Sequence, residues 1–222
     1  MVSAVPLIKQ PVPPPIGERR VVLRSLDWPG YVAIRQSLSS TRNTRLTYSQ
    51  GILEITMPLE IHEFSTWLIG RFIYILVAEL GMDLKTIGST TLDREDLARS
   101  AEPDAAYYIQ NQPLVVGRSV DLAEDPPPDL VVEVDITHTD IDKLRLYAAL
   151  GIPEFWRYNG ETWRIYSLQG SKYKEVDMSP TFAIVPKTKL YEFLADAQLS
   201  EIKADQALRQ WVRTAQAKDT LS

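Results

Sequence analysis

The sequence predicts a single α/β domain, and three observations support this fold class. The chain has 222 residues, within the range of about 200–250 that one large domain can occupy. Its composition, 45% hydrophobic and 24% charged, is typical of a globular protein. Segments with the two-residue period of strands alternate with segments that have the spacing of amphipathic helices. We divide the chain into a proline-rich arm (1–18), the domain (19–198) and a C-terminal helix with a tail (199–222).

In the first half of the chain, turn signals separate strands from two helices. Ser49-Gln50-Gly51 predicts a tight turn, because glycine can take a positive φ, and Gly81 predicts the end of a long helix. The other face of this helix carries His62, Glu63 and Arg71. Strands are predicted at 20–26, 45–50 and 51–57, and helices at 31–38 and 60–80. The apolar stripe of the long helix consists of Ile61, Phe64, Leu68, Phe72, Ile75 and Leu76.

In the second half of the chain, predicted strands, helices and loops are shorter and follow one another more closely. Three prolines at 126–128 exclude helix and lead into a β-rich segment, and Asn159-Gly160 predicts a hairpin. Thr139 or Asp140 can cap a helix that Gly151 ends. Strands are predicted at 85–92, 104–109, 129–136, 155–158, 162–168 and 173–176, helices at 139–150, 191–197 and 201–217, and a polar loop at 93–103.

Composition excludes several kinds of protein and site. There is no cysteine, which excludes disulfides and thiolate metal sites, and only two histidines, so a zinc site built on several imidazoles is not expected. The net charge of −5 argues against nucleic-acid binding by bulk electrostatics. The apolar stretch 68–80 is too short to span about 30 Å of hydrocarbon, and the N-terminus lacks the pattern of a signal peptide. We therefore expect a soluble, cytoplasmic protein.

The segment 129–136 places acidic side chains on one face of a strand. Alternation puts Asp129, Glu133 and Asp135 on one side and apolar residues on the other. Such carboxylates repel one another unless a cation, a basic partner or water intervenes. If the strand that follows Glu102-Pro103-Asp104 ends beside this one, Asp104 and Glu133 would meet as oxygen ligands for Mg²⁺ or Mn²⁺. The alternative is that all of these are solvated acids.

Lys143 strengthens the metal-site interpretation. With Leu146, Tyr147 and Leu150 it forms a stripe at helical spacing, so its side chain starts a buried or half-buried face. A lysine in that position must reach solvent or meet carboxylates. Its ammonium could orient an attacking water and offset charge in a transition state. The alternative is a lysine that lies over an apolar surface.

Several segments together resemble one family. Each motif is short, but their order and spacing are specific and span residues 20 to 195. They are similar to the Uma family of restriction-endonuclease-like proteins, part of the PD-(D/E)xK nuclease superfamily. The segments are Gly88-Ser89-Thr90-Thr91-Leu92, Glu102-Pro103-Asp104, 128–134 and 142–158.

The resemblance implies a restriction-endonuclease-like α/β core, with a mixed β-sheet flanked by helices. It also implies that Asp104 and Glu133 bind the metal, with the Val134 carbonyl as a candidate third ligand. Asp135 stands where the simplest superfamily pattern has its lysine, and the resemblance implies that Lys143 takes over this role.

Further candidates are less distinctive. His62 and Glu63 begin the long helix, where the superfamily often keeps an acid near the metal; Glu63 could equally be a first-turn acid that favours the helix dipole. Four arginines are candidates for phosphate contact, and His138 is interpreted as a loop histidine. The arginines are Arg94, Arg99, Arg145 and Arg157.

These observations lead to one functional hypothesis and two alternatives. The hypothesis is a Mg²⁺-dependent endonuclease that hydrolyses DNA, and cutting both strands would require a homodimer or two sequential events. The first alternative is a non-catalytic nucleic-acid or protein binding module of the same fold. The second is a metal-dependent hydrolase of a small phosphate ester, which the acidic net charge would suit.

Overall fold

Two β-sheets and five helices build the structure, a computed structural model that describes residues 19–39, 43–136 and 139–219. The proline-rich arm and His138 lie outside the described residues. The smaller sheet contains β1 (Arg19–Leu23), β2 (Arg45–Ser49), β3 (Ile52–Met57), β5 (Leu92–Arg94) and β6 (Arg99–Ala101). The larger sheet contains β4 (Lys85–Thr86), β7 (Ala105–Tyr108), β8 (Leu130–Val134), β9 (Glu154–Tyr158), β10 (Trp163–Gln169) and β11 (Lys172–Val176). The helices are α1 (Trp28–Ser37), α2 (Glu60–Glu79), α3 (Gln112–Val115), α4 (Lys143–Ala149) and α5 (Thr188–Asp219).

The larger sheet is mixed, as predicted. Its strand order is β11-β10-β9-β8-β7-β4, and β8 and β9 are parallel while the other described pairs are antiparallel. The smaller sheet has the order β1-β3-β2-β6-β5 and is antiparallel. A dedicated second sheet was not predicted from the sequence.

The larger sheet separates two apolar clusters. Leu130, Val132 and Val134 of β8 pack with α2 and α5 on one face. Val131 faces the opposite side, where Tyr147 of α4 and Leu92 of β5 belong to the same cluster. This alternation follows from the two-residue period of a strand and puts Glu133 on the α4 side.

Both predicted tight turns are present. Gln50 and Gly51 have φ of 46° and 92°, and Ser49 pairs with Ile52 across the turn between β2 and β3. Gly160, with φ of 93°, lies in the connection between the antiparallel strands β9 and β10. Positive φ is accessible to glycine at little energetic penalty.

Other boundaries differ from the predictions. The predicted strand 85–92 is wrong: β4 and β5 lie in different sheets, because the chain turns at Gly88, whose φ is 55°. The predicted loop 93–103 contains β6, which pairs with β2. The predicted helices 191–197 and 201–217 lie within α5, interrupted by the extended residue Ser200.

The helix that carries Lys143 begins later than predicted. Asp142 is its N-cap, and its side chain accepts a hydrogen bond from the Arg145 N–H at 3.1 Å. Thr139 and Asp140, the predicted caps, instead donate to the buried Glu54 of β3. Tertiary hydrogen bonds therefore hold the segment that the sequence predicted as the first turn.

The apolar stripe predicted for α2 is wrong in its first turn. Ile61 and Phe64 are 61% and 39% exposed, whereas His62, predicted on the polar face, is buried. The core contacts of α2 start at Leu68, because the first turns extend past the packed part of the sheet.

Among the described residues, α2 is the one helix with the length and mean hydropathy of a membrane span. It is longer than the stretch 68–80 considered from the sequence. Its charged residues pair with α5: Arg71 with Asp205, and Glu79 with Arg209. Its apolar length is therefore explained by its place in the core.

Candidate active site

β7 and β8 bring the two predicted ligands together. The strands are antiparallel, with Ala105 opposite Val132, so Asp104 lies beside the end of β8 that carries Glu133. Asp104 Oδ2 accepts hydrogen bonds from the Val134 N–H at 2.7 Å and from His62 Nε2 at 3.0 Å. His62 of α2 therefore orients Asp104, which gives this predicted supporting residue a position in the site.

Lys143 points at the acidic strand, as its helical stripe predicted. Its Nζ donates to Glu133 Oε2 at 2.8 Å and to Asp135 Oδ1 at 2.5 Å. The hydroxyl of Tyr147, one turn further along α4, donates to the other oxygen of Glu133. Lys143 and Tyr147 share one face of α4, because residues four apart in a helix are neighbours.

Asp135 is a bridge between two cations. Its second oxygen accepts from Arg157 Nε at 2.8 Å, while its first accepts from Lys143. Asp129, the remaining acid of the same strand face, lies at the other end of β8 and accepts from the Ile109 and Asn111 N–H groups. Asp135 thus belongs to the site, and Asp129 does not.

The central groups are nearly removed from water. The side chains of Asp104, Glu133 and Lys143 are 5%, 4% and 11% exposed. Solvent therefore screens their charges weakly, and each carboxylate depends on its protein partners.

Burial and neighbouring charges shift the pKa values in different directions. Burial, together with the charges of Asp104 and Asp135 and against the attraction of Lys143, raises the pKa of Glu133 to about 8. Burial also opposes the ionisation of Asp104, but the hydrogen bond and charge of His62 outweigh it and lower the pKa of this carboxyl. Burial likewise opposes the charge on Lys143, yet Asp135 and Glu133 raise its pKa well above the ordinary value.

Glu63 lies at the rim of the site. Its side chain is 53% exposed, and its Oε1 is 3.8 Å from Arg45 and 3.8 Å from His62 Nδ1. The acid is in the first turn of α2, where a negative charge favours the helix dipole. Its position is compatible with both interpretations made from the sequence.

Sequence reasoning missed the structural acid Glu54, and it named Glu102 only as part of Glu102-Pro103-Asp104. Glu54 accepts from the Thr139 hydroxyl at 2.8 Å and the Ile141 N–H at 2.7 Å, and so fixes the segment that leads to Lys143. Glu102 accepts from the Leu46 N–H at 2.9 Å and from the Thr91 hydroxyl at 3.1 Å. One signal was available for Glu54, because it interrupts the apolar strand Ile52–Met57.

Three of the four arginines that were candidates for phosphate contact form ion pairs with carboxylates of the protein. Arg94 bonds Asp96, Arg145 bonds Asp142, and Arg157 bonds Asp135. Of these, only Arg157 reaches the site within the described residues. Arg20 and Arg45, which the sequence analysis did not single out, line the cleft instead.

The cleft between the two sheets fits a divalent cation. Its volume of about 20 Å³ has room for one ion or one water molecule. Five carboxylates line it with three Lys or Arg side chains, so the cleft is rich in oxygen ligands. No group of three metal-binding side chains occurs among the described residues, but Mg²⁺ is usually held by one or two carboxylates and keeps several waters. The carboxylates are Glu54, Glu102, Asp104, Glu133 and Asp135.

The Val134 carbonyl has a suitable direction for a third ligand. The Asp135 N–H donates to Tyr158 of β9, whereas the Val134 N–H donates to Asp104 on the opposite edge of β8. Because the N–H and C=O of one strand residue point to the same edge, the Val134 carbonyl faces the Asp104 side. The metal-binding roles of Asp104, Glu133 and Val134 stay predictions.

A larger cavity lies on the opposite face of the larger sheet. It measures about 420 Å³, is mostly apolar and is lined by α2, α5 and β7. Its charged groups, Arg71, Asp205 and Arg209, are already in ion pairs. Since it lacks a lysine with acidic partners, we assign the chemistry to the smaller cleft.

Comparisons with known proteins agree with this arrangement. The family model Uma2, described as "Putative restriction endonuclease", matches residues 28–196. A search of the curated proteins found no significant match. Among solved structures, the chain is similar to "a putative nuclease belonging to DUF820" from Anabaena variabilis ATCC 29413, with a TM-score of 0.51 and 14% identity over 75% of this chain and 98% of that chain. The structural similarity confirms the restriction-endonuclease-like α/β fold. Because the family model matches most of the sequence, the protein belongs to the Uma2 family.

Proposed function

We propose that the protein is a Mg²⁺- or Mn²⁺-dependent endonuclease that hydrolyses phosphodiester bonds of DNA in the cytoplasm. One observation carries this proposal: the Lys143 ammonium is held between Glu133 and Asp135 in the cleft that also contains Asp104. Membership of the Uma2 family, whose model is described as "Putative restriction endonuclease", supports the same reaction.

Asp104, Glu133 and the Val134 carbonyl would hold the metal ion. When bound, such an ion offsets charge on the phosphoryl oxygens and lowers the pKa of a coordinated water. His62 keeps Asp104 oriented and ionised through its hydrogen bond. Tyr147 acts as a positioning residue, because its hydroxyl fixes one oxygen of Glu133.

Lys143 acts as a cation and donor rather than as a base. Its raised pKa keeps it protonated near neutral pH, so it has no free lone pair to accept a proton. The ammonium can donate a hydrogen bond to the attacking water and offset negative charge that develops on the phosphate. Glu133 and Asp135 hold it in the cleft, and Arg157 in turn donates to Asp135.

A metal-dependent hydrolase of a small phosphate ester is the second candidate. The deep burial of Asp104, Glu133 and Lys143 favours a compact substrate over a duplex. A non-catalytic binding module of the same fold is less well supported, because the lysine and the carboxylates are all present and in contact.

Cleavage assays separate these possibilities. The purified protein is incubated with supercoiled plasmid, linear DNA and bis(p-nitrophenyl) phosphate in Mg²⁺, Mn²⁺, Ca²⁺ or EDTA. We expect metal-dependent DNA cleavage that Asp104→Asn abolishes. Asp96→Asn makes the same change at an exposed residue paired with Arg94 and should leave cleavage intact. Hydrolysis of the small ester alone would favour the second candidate, and no hydrolysis of either substrate would favour the binding module.

Cleavage of both strands would require a second active site. We therefore propose that the protein cuts duplex DNA as a homodimer. Light scattering coupled to gel filtration, with and without DNA, measures the oligomeric state. A monomer that linearises plasmid in a single binding event would contradict this part of the proposal.

A further inference from the structure

Three adjacent strands place a row of charged side chains on one face of the larger sheet. Glu133 of β8 pairs with Arg157 of β9, and Arg157 pairs with Arg164 of β10. Paired residues on neighbouring strands share a face, and strands are about 4.8 Å apart. Arg164 therefore lies two strand spacings, roughly 10 Å, from the catalytic carboxylate.

Two arginines stand directly opposite each other in this row. Like charges in such cross-strand positions destabilise a sheet unless an anion lies between or beside them. Among the described residues, the Arg157 guanidinium has one hydrogen-bond partner, Asp135, which it reaches through Nε. Asp135 also accepts a hydrogen bond from Lys143, so its single negative charge is shared between Lys143 and Arg157. Arg164 is exposed, and its side chain hydrogen-bonds Tyr166.

Arg157, Arg164 and Asn159 line a polar cavity beside the catalytic cleft. This cavity measures about 280 Å³, and Asp135 lines both spaces. Asn159 Oδ1 accepts from the N–H groups of Glu161 and Thr162, which orients the amide and leaves its NH₂ group as a donor. The lining is Asp135, Ile136, Arg157, Asn159, Thr162 and Arg164.

We propose that Arg157, Arg164 and Asn159 form a subsite for a backbone phosphate of the nucleic-acid strand, next to the phosphodiester that is cleaved. Guanidinium groups match phosphate oxygens with paired hydrogen bonds, and the polar lining offers little to an apolar group. Asp135 lies beside Arg157, and the charge of Glu175 acts on Arg164; the phosphate would supply a further anion between the two arginines. This inference rests on the proposed nuclease function and adds how the strand is held.

Arg164→Gln is the cleanest test, because Arg157 also contacts Asp135 and its loss would disturb the catalytic groups. Arg213→Gln removes the same charge from an exposed arginine that pairs with Glu79 and was never a candidate for phosphate contact. Binding of a fluorescent DNA duplex is measured by anisotropy between 50 and 200 mM salt, in Ca²⁺ and on an Asp104→Asn background. We expect Arg164→Gln to raise Kd about tenfold or more and to reduce the log–log salt slope by about 0.9. Arg164→Lys should recover part of the affinity, and Arg213→Gln should change neither quantity.

A phosphate scan identifies the contacted group. A neutral methylphosphonate replaces one phosphate at a time on either side of the mapped cleavage position. The protein with Arg164 intact should lose affinity at one position near the cleaved bond, and Arg164→Gln should be insensitive at that same position. Such non-additivity is the signature of a direct contact.

The outcomes separate the subsite from the nuclease function. Equal affinity and equal salt slope for Arg164→Gln, in a protein that cleaves DNA, would overturn the subsite and leave the nuclease proposal standing. The subsite would also be overturned if Arg164→Gln lost as much affinity as the protein with Arg164 at every methylphosphonate position. A protein that neither binds nor cleaves DNA would overturn both proposals. Thermal unfolding of each variant verifies that it is folded.

Discussion

Lys143 is the single residue on which the electrostatics of the cleft depend most. It is the cation shared by Glu133 and Asp135, and all three side chains are at most 11% exposed. Removing one partner of a buried charge cluster leaves the others uncompensated, which is strongly destabilising. The same side chain therefore affects both the proposed chemistry and the folded state.

Lys143→Ala should lower both activity and stability. We expect cleavage to fall by about 10²-fold or more, the scale for loss of an electrostatic stabiliser. We also expect the free energy of unfolding to fall by about 1–3 kcal/mol, because Glu133 loses a buried hydrogen-bond donor and Asp135 keeps only Arg157 as its counter-charge. Urea denaturation and single-turnover cleavage measure the two effects.

Lys172→Ala is the matched control, since this lysine is exposed on the edge strand β11. Its stability should change by less than about 0.5 kcal/mol and its activity should be unaffected. Cleavage by Lys143→Ala at the native rate would reduce Lys143 to a structural residue.

The raised pKa of Glu133 predicts a pH-dependent stability in the absence of metal. The folded protein keeps a proton on Glu133 up to a pH of about 8, whereas the unfolded chain releases it near the ordinary value of about 4.3. Between these values the folded state binds more protons, so the free energy of unfolding decreases as pH rises. The slope is at most about 1.4 kcal/mol per pH unit, which gives about 2 kcal/mol between pH 6 and pH 8.

Urea denaturation in EDTA at several pH values tests this dependence. Glu133→Gln cannot titrate and should show a flatter profile between pH 6 and pH 8. Mg²⁺ should stabilise the native protein more at pH 8 than at pH 6, because a metal ligand must lose its proton. Identical profiles for the two proteins would contradict the raised pKa.

At the scale of elements, α2 contains a glycine, although glycine is unfavourable in the middle of a helix. Gly70 lies in the middle of the helix, where alanine would be favoured by about 1 kcal/mol. A Cβ atom at this position would be 2.9 Å from the Tyr107 hydroxyl of β7. The glycine therefore allows the helix to approach the sheet closely.

Gly70→Ala should destabilise the protein despite the better helix propensity. Tyr107 is 4% exposed, and its hydroxyl must shift toward the cavity that it lines with Gly70, so we expect a net loss of up to about 2 kcal/mol after the gain in helix propensity. In a Tyr107→Phe background, which lacks the hydroxyl, the same change should be neutral or stabilising. Thermal or urea unfolding of the four proteins gives this double-mutant cycle. Additive effects would show that the hydroxyl is not the obstacle.

At the scale of the whole molecule, the C-terminal part of α5 belongs to the main core. Ala204, Leu208 and Val212 are buried in the cluster that also contains α2 and β8. Ion pairs between Arg71 and Asp205, and between Glu79 and Arg213, join the same two helices. The domain boundary placed at residue 198 stays a prediction, and these contacts favour a domain that includes the last helix.

Leu208→Ala should therefore cost about 2–5 kcal/mol of stability, as expected for a leucine in a packed core. Leu199→Ala is the matched control, because Leu199 is 89% exposed on the same helix and should change stability by less than about 0.5 kcal/mol. Urea denaturation measures both variants. Equally small effects would indicate that residues 199–219 are an appendage, in line with the division made from the sequence.

The sequence by itself determined the local pattern of this protein. Strand alternation predicted that Glu133 and Asp135 share a face, and helical spacing predicted that Lys143 faces inward with Tyr147. These predictions succeed because the periods of strands and helices depend only on backbone geometry. The two tight turns were predicted for the same reason, since glycine has a local conformational preference.

Only the tertiary structure decided which acids belong to the cleft and what holds them. Asp129 and Asp135 have the same strand parity, yet only Asp135 meets Lys143. Glu54 binds the segment before Lys143 from 86 residues away in the sequence, and Arg157 and Arg164 meet through the pairing of β9 with β10. Local periodicity carries no information on which distant segments pair. Those contacts depend on how two sheets and two helices pack, which the whole chain determines together.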